Sequence, residues 1–165
     1  MEPTFTIQQA ETQHISVIAA LAEATWWPTY SPILSKEQIR FMLDKMFNTN
    51  ALARQMTSGM RFYLIQAEEE PVGFLAVISQ KQILRIEKLY LKPNRQKSGL
   101  GTKLIQHAQK LAKEAGCTFI ELNVNRQNPA LDFYKKVGFK IIQEVDIPYY
   151  QFFMNDYVLQ LRVVE

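Results

Sequence analysis

Cysteine is nearly missing from this sequence. Cys117 is the single one in 165 residues, which excludes an internal disulfide and a cysteine-rich metal site. It follows an amphipathic stretch, where a small apolar side chain packs in a core more often than it acts as a nucleophile. His14 and His107 are the two histidines; both read as polar-face residues, and no spaced ligand set for a metal is found. No apolar run is long enough to span a bilayer. The start Met1-Glu2-Pro3-Thr4 lacks a basic region followed by an apolar run, so no secretory signal is expected and the cytoplasm is the default location. An excess of one charge is lacking too. Lys+Arg 19 against Asp+Glu 16 leaves +3, too small and dispersed to mark a nucleic-acid surface.

Repeats, low-complexity segments and Gly/Ser/Pro-rich linkers are likewise not seen, so residues 1–165 read as one domain. At 47% hydrophobic and 12% aromatic the chain is too apolar for disorder. Its length allows roughly two-thirds of the unfolded surface to be buried.

The elements form a mixed α/β series. Phe5-Thr6-Ile7 reads as a strand, and Ile15, Ile18, Leu21 and Ala22 have helical spacing that Trp26, Trp27, Pro28 and Tyr30 are expected to interrupt. Ser35 with Gln38 has capping-box spacing and starts a second helix near Lys36. Arg61 to Ala67 and Val72 to Ser79 read as strands around an exposed turn at Glu68-Glu69-Glu70-Pro71, and Ile83 to Leu91 as a third strand. Leu104, Ile105, Ala108, Leu111, Ala112 and Ala115 then fall on one helical face, with Gly116 as the stop. Phe119 to Val124, Pro129 to Lys136, Phe139 to Val145 and Phe152 to Val164 read as strand, short helix, strand and strand.

Between the third strand and the long helix lies Gln96-Lys97-Ser98-Gly99-Leu100-Gly101. Glycines there let backbone N–H groups at a helix start approach an anion closely, with the helix dipole adding favourable potential. Alone, the pattern also fits a tight strand-to-helix turn without ligand. It matches neither the Walker A spacing nor the three-glycine dinucleotide fingerprint. Some thirty residues on, Asn128-Pro129-Ala130-Leu131-Asp132-Phe133-Tyr134 leads to Gly138-Phe139. Locally this is a capped helix, with Asn128 as cap, Pro129 in the first turn and Gly138 at the end.

The two segments together resemble the Gcn5-related N-acetyltransferase (GNAT) family, whose loop reads Gln/Arg-x-x-Gly-x-Gly/Ala and whose later motif reads Asn-x-x-Ala-x-x-Phe-Tyr-x-x-x-Gly-Phe. Lys97 stands where many members have glycine. The resemblance implies a splayed, mixed, mostly antiparallel sheet flanked by helices. It also implies acetyl-CoA as cosubstrate, no metal, and cofactor contacts at Leu89, Tyr90, Leu91, Gln96, Lys97, Ser98, Gly99, Leu100, Gly101, Thr102, Asn128 and Tyr134. Tyr134 would protonate the departing thiolate, its alternative being packing against Phe133 and Phe139. Glu87 is the leading side chain to deprotonate the acceptor, against the reading of a surface charge.

Ala24-Thr25-Trp26-Trp27-Pro28-Thr29-Tyr30, Leu122-Asn123-Val124-Asn125-Arg126 and Met154-Asn155-Asp156-Tyr157 resemble the PaiA-like polyamine N-acetyltransferase branch. That resemblance implies a small amine or polyamine acceptor, with Glu23, Tyr30, Glu87 and Asp156 as groove residues. Acetylation of a protein amino terminus or lysine, and a noncatalytic acyl-CoA sensor, are the competing readings. No nucleic-acid or membrane partner is expected, and a homodimer is left open.

Overall fold

The computed structural model describes residues 4–164. Their order is β1 (Phe5–Gln9), α1 (Ile15–Tyr30), α2 (Lys36–Met46), α3 (Thr49–Thr57), β2 (Arg61–Ala67), β3 (Glu70–Gln80), β4 (Ile83–Leu91), α4 (Leu100–Glu114), β5 (Phe119–Asn125), α5 (Ala130–Val137), β6 (Lys140–Tyr149) and β7 (Phe152–Arg162). The strands hydrogen-bond in the order β1-β2-β3-β4-β5-β7-β6. The β4–β5 pair is parallel, whereas β1–β2, β2–β3, β5–β7 and β6–β7 are antiparallel. The expected mixed, mostly antiparallel α/β class is what the chain adopts.

Two compact units share the chain: residues through Ile78 with Lys88–Leu104, and Ser79–Glu87 with the chain from Ile105 onward. In the first, the β2–β3 turn places Glu68 and Glu69 at φ 54° and 67°, the double left-handed geometry that matches hairpin twist. Glu70 and Pro71 already belong to β3. Phe62 to Ile65 and Val72 to Val77 are buried without alternation, the pattern of strands covered on both faces. Ile18, Leu21 and Ala22 of α1, Ile39 and Leu43 of α2 and Leu52 of α3 complete this core. Each large aliphatic or aromatic side chain fully buried there contributes about 1.5–3 kcal/mol.

Three expectations need correction here. α1 runs unbroken through Pro28 to Tyr30. The ring removes one hydrogen bond only a turn from the helix end, while burial of Trp26, 4% exposed, rewards continuation. α3 had no counterpart in the sequence reading; Asn48 caps it by accepting from the Ala51 N–H at 2.8 Å. His14 lies in a short 3-10 turn before α1, where its Nδ1 accepts from the Glu11 N–H at 2.9 Å. The Ser35 cap is as read, its Oγ accepting from the Gln38 N–H at 3.0 Å.

In the second unit β5 alternates cleanly. Ile120, Leu122 and Val124 are buried while Glu121, Asn123 and Asn125 are half-buried. Ile105, Ala108, Leu111 and Ala112 of α4 and Cys117 are buried as well. β6 extends to Tyr149, beyond the Val145 read from sequence, because its register with β7 continues to Tyr149↔Phe152.

Candidate active site

In the first unit the chain leaves β4 at Leu91 and makes a 3-10 turn over Pro93–Arg95. The Gln96 side-chain amide donates to the Leu91 carbonyl at 3.2 Å, and the Ser98 hydroxyl donates to the Arg95 carbonyl, so side chains pin the loop to the strand it left. Lys97 and Gly99 both take positive φ, 63° and 87°. Lys97 thus adopts the conformation for which glycine is the usual residue. A β-carbon at Gly99 would meet nothing within 4 Å, so backbone conformation rather than crowding calls for glycine there.

The Lys103 N–H donates to the Gly99 carbonyl at 3.2 Å, which opens the helical ladder at Gly99. By helix geometry the N–H groups of Leu100, Gly101 and Thr102 then have no acceptor inside the helix. They sit at the positive end of the α4 dipole, the chemistry of an anion cradle. Two of the basic side chains nearby are engaged with the hairpin: Lys92 Nζ lies 3.0 Å from Glu70 and Arg95 Nη2 3.9 Å from Glu68. The loop therefore suits a pyrophosphate through its backbone.

Gly73 was not singled out by sequence. Its β-carbon would fall 2.4 Å from the Tyr90 carbonyl oxygen and 2.7 Å from Leu91 Cδ2, so only glycine lets β4 lie this close where Leu89, Tyr90 and Leu91 were expected to serve the cofactor. The Tyr90 side chain is committed to an aromatic cluster. Its ring is 5.7 Å from Phe74 and 5.9 Å from Trp26, and its hydroxyl is 3.1 Å from that of Tyr30. Tyr30 in turn lies tilted against Trp26, with ring centroids 4.6 Å apart.

Glu23 is differently placed. Arg40 pairs with both of its oxygens and Trp27 Nε1 donates to it at 3.0 Å. The Arg40 hydrogen bonds, aided by Trp27, hold the carboxyl below the ordinary value. It lines a hollow with Ala19, Arg40, Leu43, Asp44, Phe47 and Asn48.

The second unit carries Glu87, Asn128, Tyr134 and Asp156. Registers Arg85↔Glu121, Asn123↔Val158 and Asn125↔Asp156 put Arg85, Glu87, Glu121, Asn123 and Asp156 on one sheet face. Arg85 donates to Glu121 at 2.7 Å and to Asn123 at 2.8 Å, and its Nε is 3.8 Å from Glu87. Asn123 Nδ2 donates to Asp156 at 3.5 Å. Burial pushes the Asp156 carboxyl above its ordinary value, with the Asn123 hydrogen bond and the charges of Arg126 and Arg85 opposing. The sequence reading gave Arg85, Glu121 and Asn123 no role in the site. The available signal was polar residues at alternate positions of two strands.

Tyr134 is 7% exposed, with Phe133 and Phe139 edge-on at 5.3 and 5.6 Å. The Phe139 N–H donates to the Tyr134 carbonyl at 3.0 Å and the Gly138 N–H to that of Lys135 at 3.1 Å, a Schellman motif with Gly138 at φ 121°. At the other end Asn128 Oδ1 accepts from the Ala130 N–H at 2.9 Å, leaving the side-chain NH2 to donate elsewhere.

Residues 30–147 match the family described as the acetyltransferase (GNAT) domain. The chain belongs to the GNAT family of acetyl-CoA-dependent N-acetyltransferases. Among GNAT relatives, it is 28% identical over 144 residues to spermidine N(1)-acetyltransferase of Thermoplasma acidophilum, covering 82% of this chain and 88% of that protein. It is 36% identical over 85 residues to the peptidyl-lysine N-acetyltransferase YjaB of Escherichia coli, covering 50% of this chain and 52% of the relative. Across the curated relatives the matched share thus varies, down to 38% of one archaeal protein. Among solved structures, PaiA N-acetyltransferase of Thermoplasma acidophilum in complex with coenzyme A superposes with a TM-score of 0.84 at 24% identity, over 96% of this chain and 99% of that one. This likeness establishes the fold. No helix among the described residues is long and apolar enough to cross a membrane.

Proposed function

We propose that this GNAT protein transfers the acetyl group of acetyl-CoA to the primary amine of a small cationic acceptor of the polyamine type. The observation that carries the acceptor class is the part of the second unit's sheet face around Arg85, where one guanidinium is shared by Glu121 and Glu87 and the Asp156 carboxylate lies beyond Asn123. Lys140 and Arg162 share the face toward its other end, by the registers Lys140↔Gln160 and Arg162↔Phe119. A local surplus of carboxylates favours a cation. The Thermoplasma relative named a spermidine acetyltransferase supports the same class.

Acetyl-CoA supplies an activated thioester carbonyl and a thiolate leaving group. Toward it, the first-turn amides of α4, with Gly99 and Gly101 free of side chains, hold the pyrophosphate, and Asn128 donates its amide N–H to the pantetheine. Main-chain N–H groups of β4 at Leu89 and Leu91 polarise the acetyl carbonyl. Tyr134 donates its phenolic proton to the leaving sulfur, a role a neutral phenol performs at physiological pH. Within the first unit, Tyr30 presents an aromatic ring of the kind that suits a cationic amine, whereas the Glu23 carboxylate is taken up by Arg40.

The test is a panel of polyamines, monoamines, and peptides with free amino termini or lysines, scored by amine-dependent release of free thiol. Polyamine turnover is expected. Turnover restricted to peptides would give the acceptor to the competing reading, for which the lysine-acetylating relative speaks, and coenzyme A binding without any turnover would identify a sensor.

A further inference from the structure

The reaction proposed above leaves one proton without a destination, because a cationic amine must shed it before its lone pair can attack a thioester. The geometry points to Asp156 as the acceptor of that proton and to Asn123 as the residue that positions it, with Glu87 confined to attracting the cation. This rests on the acetyl-transfer reading and deepens it.

Among the described residues Asp156 is the one carboxylate classed as buried, at 9% exposure. Glu87, the candidate from sequence, keeps a side chain 34% exposed and shares Arg85 with Glu121. Asn123 cannot turn its amide around: its Oδ1 receives Arg85 Nη2 at 2.8 Å, so its Nδ2 must face Asp156, which it reaches at the long distance of 3.5 Å. A carboxylate offers about four lone-pair sites, and this is the one side-chain donor on it among the described residues. The cations around it form no ion pair with its carboxylate among the described residues. On β4 and β5, Arg85 binds Glu121 and approaches Glu87. After β5, Arg126 lies 2.6 Å from Asp146 and 3.4 Å from Glu144 of β6, and it meets Asp156 at the main-chain carbonyl, to which its Nη1 donates at 3.4 Å. An ionised carboxylate so buried and thinly solvated is costly, and accepting a proton relieves the cost. The upward displacement of its titration agrees.

In the step, the ammonium N–H bond breaks and its proton passes to the Asp156 carboxylate. The freed lone pair forms the C–N bond, the C–S bond breaks, and the thiolate takes a proton from Tyr134. The nitrogen, now bearing the acetyl group, sheds its second proton, which returns through water to the Tyr134 phenolate, and the proton on Asp156 passes to bulk water, so each turnover of an ammonium releases one proton net.

The experiment compares wild type with Asp156→Asn, Asp156→Glu and Glu87→Gln, using the best amine of the panel across the acceptor's titration range. Expected is a fall in kcat of roughly 10²–10⁴-fold for Asp156→Asn near neutral pH. The gap should narrow as pH rises and the amine deprotonates in bulk, with partial activity in Asp156→Glu, whereas Glu87→Gln should raise KM for the amine without that pH-dependent loss of kcat. A rise in KM alone in Asp156→Asn would overturn the proposal in favour of simple attraction. A loss equal at every pH would overturn it in favour of a structural role, and the pH-dependent loss appearing in Glu87→Gln would return the proton to Glu87. Should Asp156→Asn fail to fold, carboxyl 13C NMR of the wild type decides: titration above the ordinary aspartate range supports the proposal, and titration within or below that range sinks it. If wild type releases no thiol with any amine, it is the acetyl-transfer reading that fails.

Discussion

Replacing Gly73 by alanine tests whether the close approach of β4 to β3 is built into the strand proposed to serve the cofactor. The new β-carbon would sit 2.4 Å from the Tyr90 carbonyl oxygen and 2.7 Å from Leu91 Cδ2. Real contacts stay beyond 3.0 Å, so the strands must part by about 0.6 Å at the carbonyl, the difference between 3.0 and 2.4. The obstructing atom is main chain and has no rotamer to escape into. Overpacking of this kind costs about 1–3 kcal/mol, and Gly73 has no positive φ to strain an alanine further. Against this stands a gain of about 0.4–1 kcal/mol from a stiffer unfolded chain. The clash wins, and for a chain of this size the melting temperature should fall by roughly 2–8 °C. The displaced β4 amides should also weaken coenzyme A binding severalfold. Calorimetric melting and isothermal titration on the same preparation measure both. A variant that melts with wild type and binds coenzyme A equally would show that β4 needs no such approach.

Three further outcomes are expected. Tyr134→Phe keeps the edge-on packing with Phe133 and Phe139 and deletes the proton donor. Its kcat should fall roughly 10²–10⁴-fold at nearly unchanged acetyl-CoA affinity, and a normal kcat with chemistry rate-limiting would remove the acid role. Gly101→Val puts a branched side chain on the first turn of α4 and should strongly weaken coenzyme A binding in a folded protein; unchanged affinity by calorimetry would take the pyrophosphate elsewhere. Asp156 has its carboxyl raised by burial, so its protonation favours the fold. That contribution is complete below the unfolded value near 4 and is lost as pH rises through the folded one. Asp156→Asn should therefore melt higher than wild type near pH 7, with the difference vanishing toward pH 4, and thermal melts that show the opposite trend would contradict the burial argument.

What sequence made legible follows from where local signals agreed with tertiary demands. The α4 face, the stop at Gly116 and the order of strands were all visible because apolar spacing, glycine and turn residues coincided. Pro28 misled because a local breaker was outweighed by the burial of Trp26. α3 escaped because just two of its nine residues, Ala51 and Leu52, are buried, too few to print a helical period. Gly73, and the Arg85 and Asn123 that stand beside Asp156, escaped for a deeper reason: their roles exist only across strands, between residues far apart in the chain. Asn128, Tyr134, Gly99 and Glu87 could be named from sequence, yet no spacing told that Arg40 occupies Glu23.

α5 is clamped at both ends, by Asn128 before its first turn and by the Gly138–Phe139 closure after its last. An α-helix advances about 1.5 Å and turns about 100° with each residue. The six-residue step from Asn128 to Tyr134 therefore works as a ruler that sets both height and bearing of the phenol. One residue inserted or removed inside it would leave every side chain of the motif present and swing the hydroxyl by more than a quarter turn. On the proposed mechanism, homologues that keep Asn, Tyr and Gly but alter this count have displaced the proton donor.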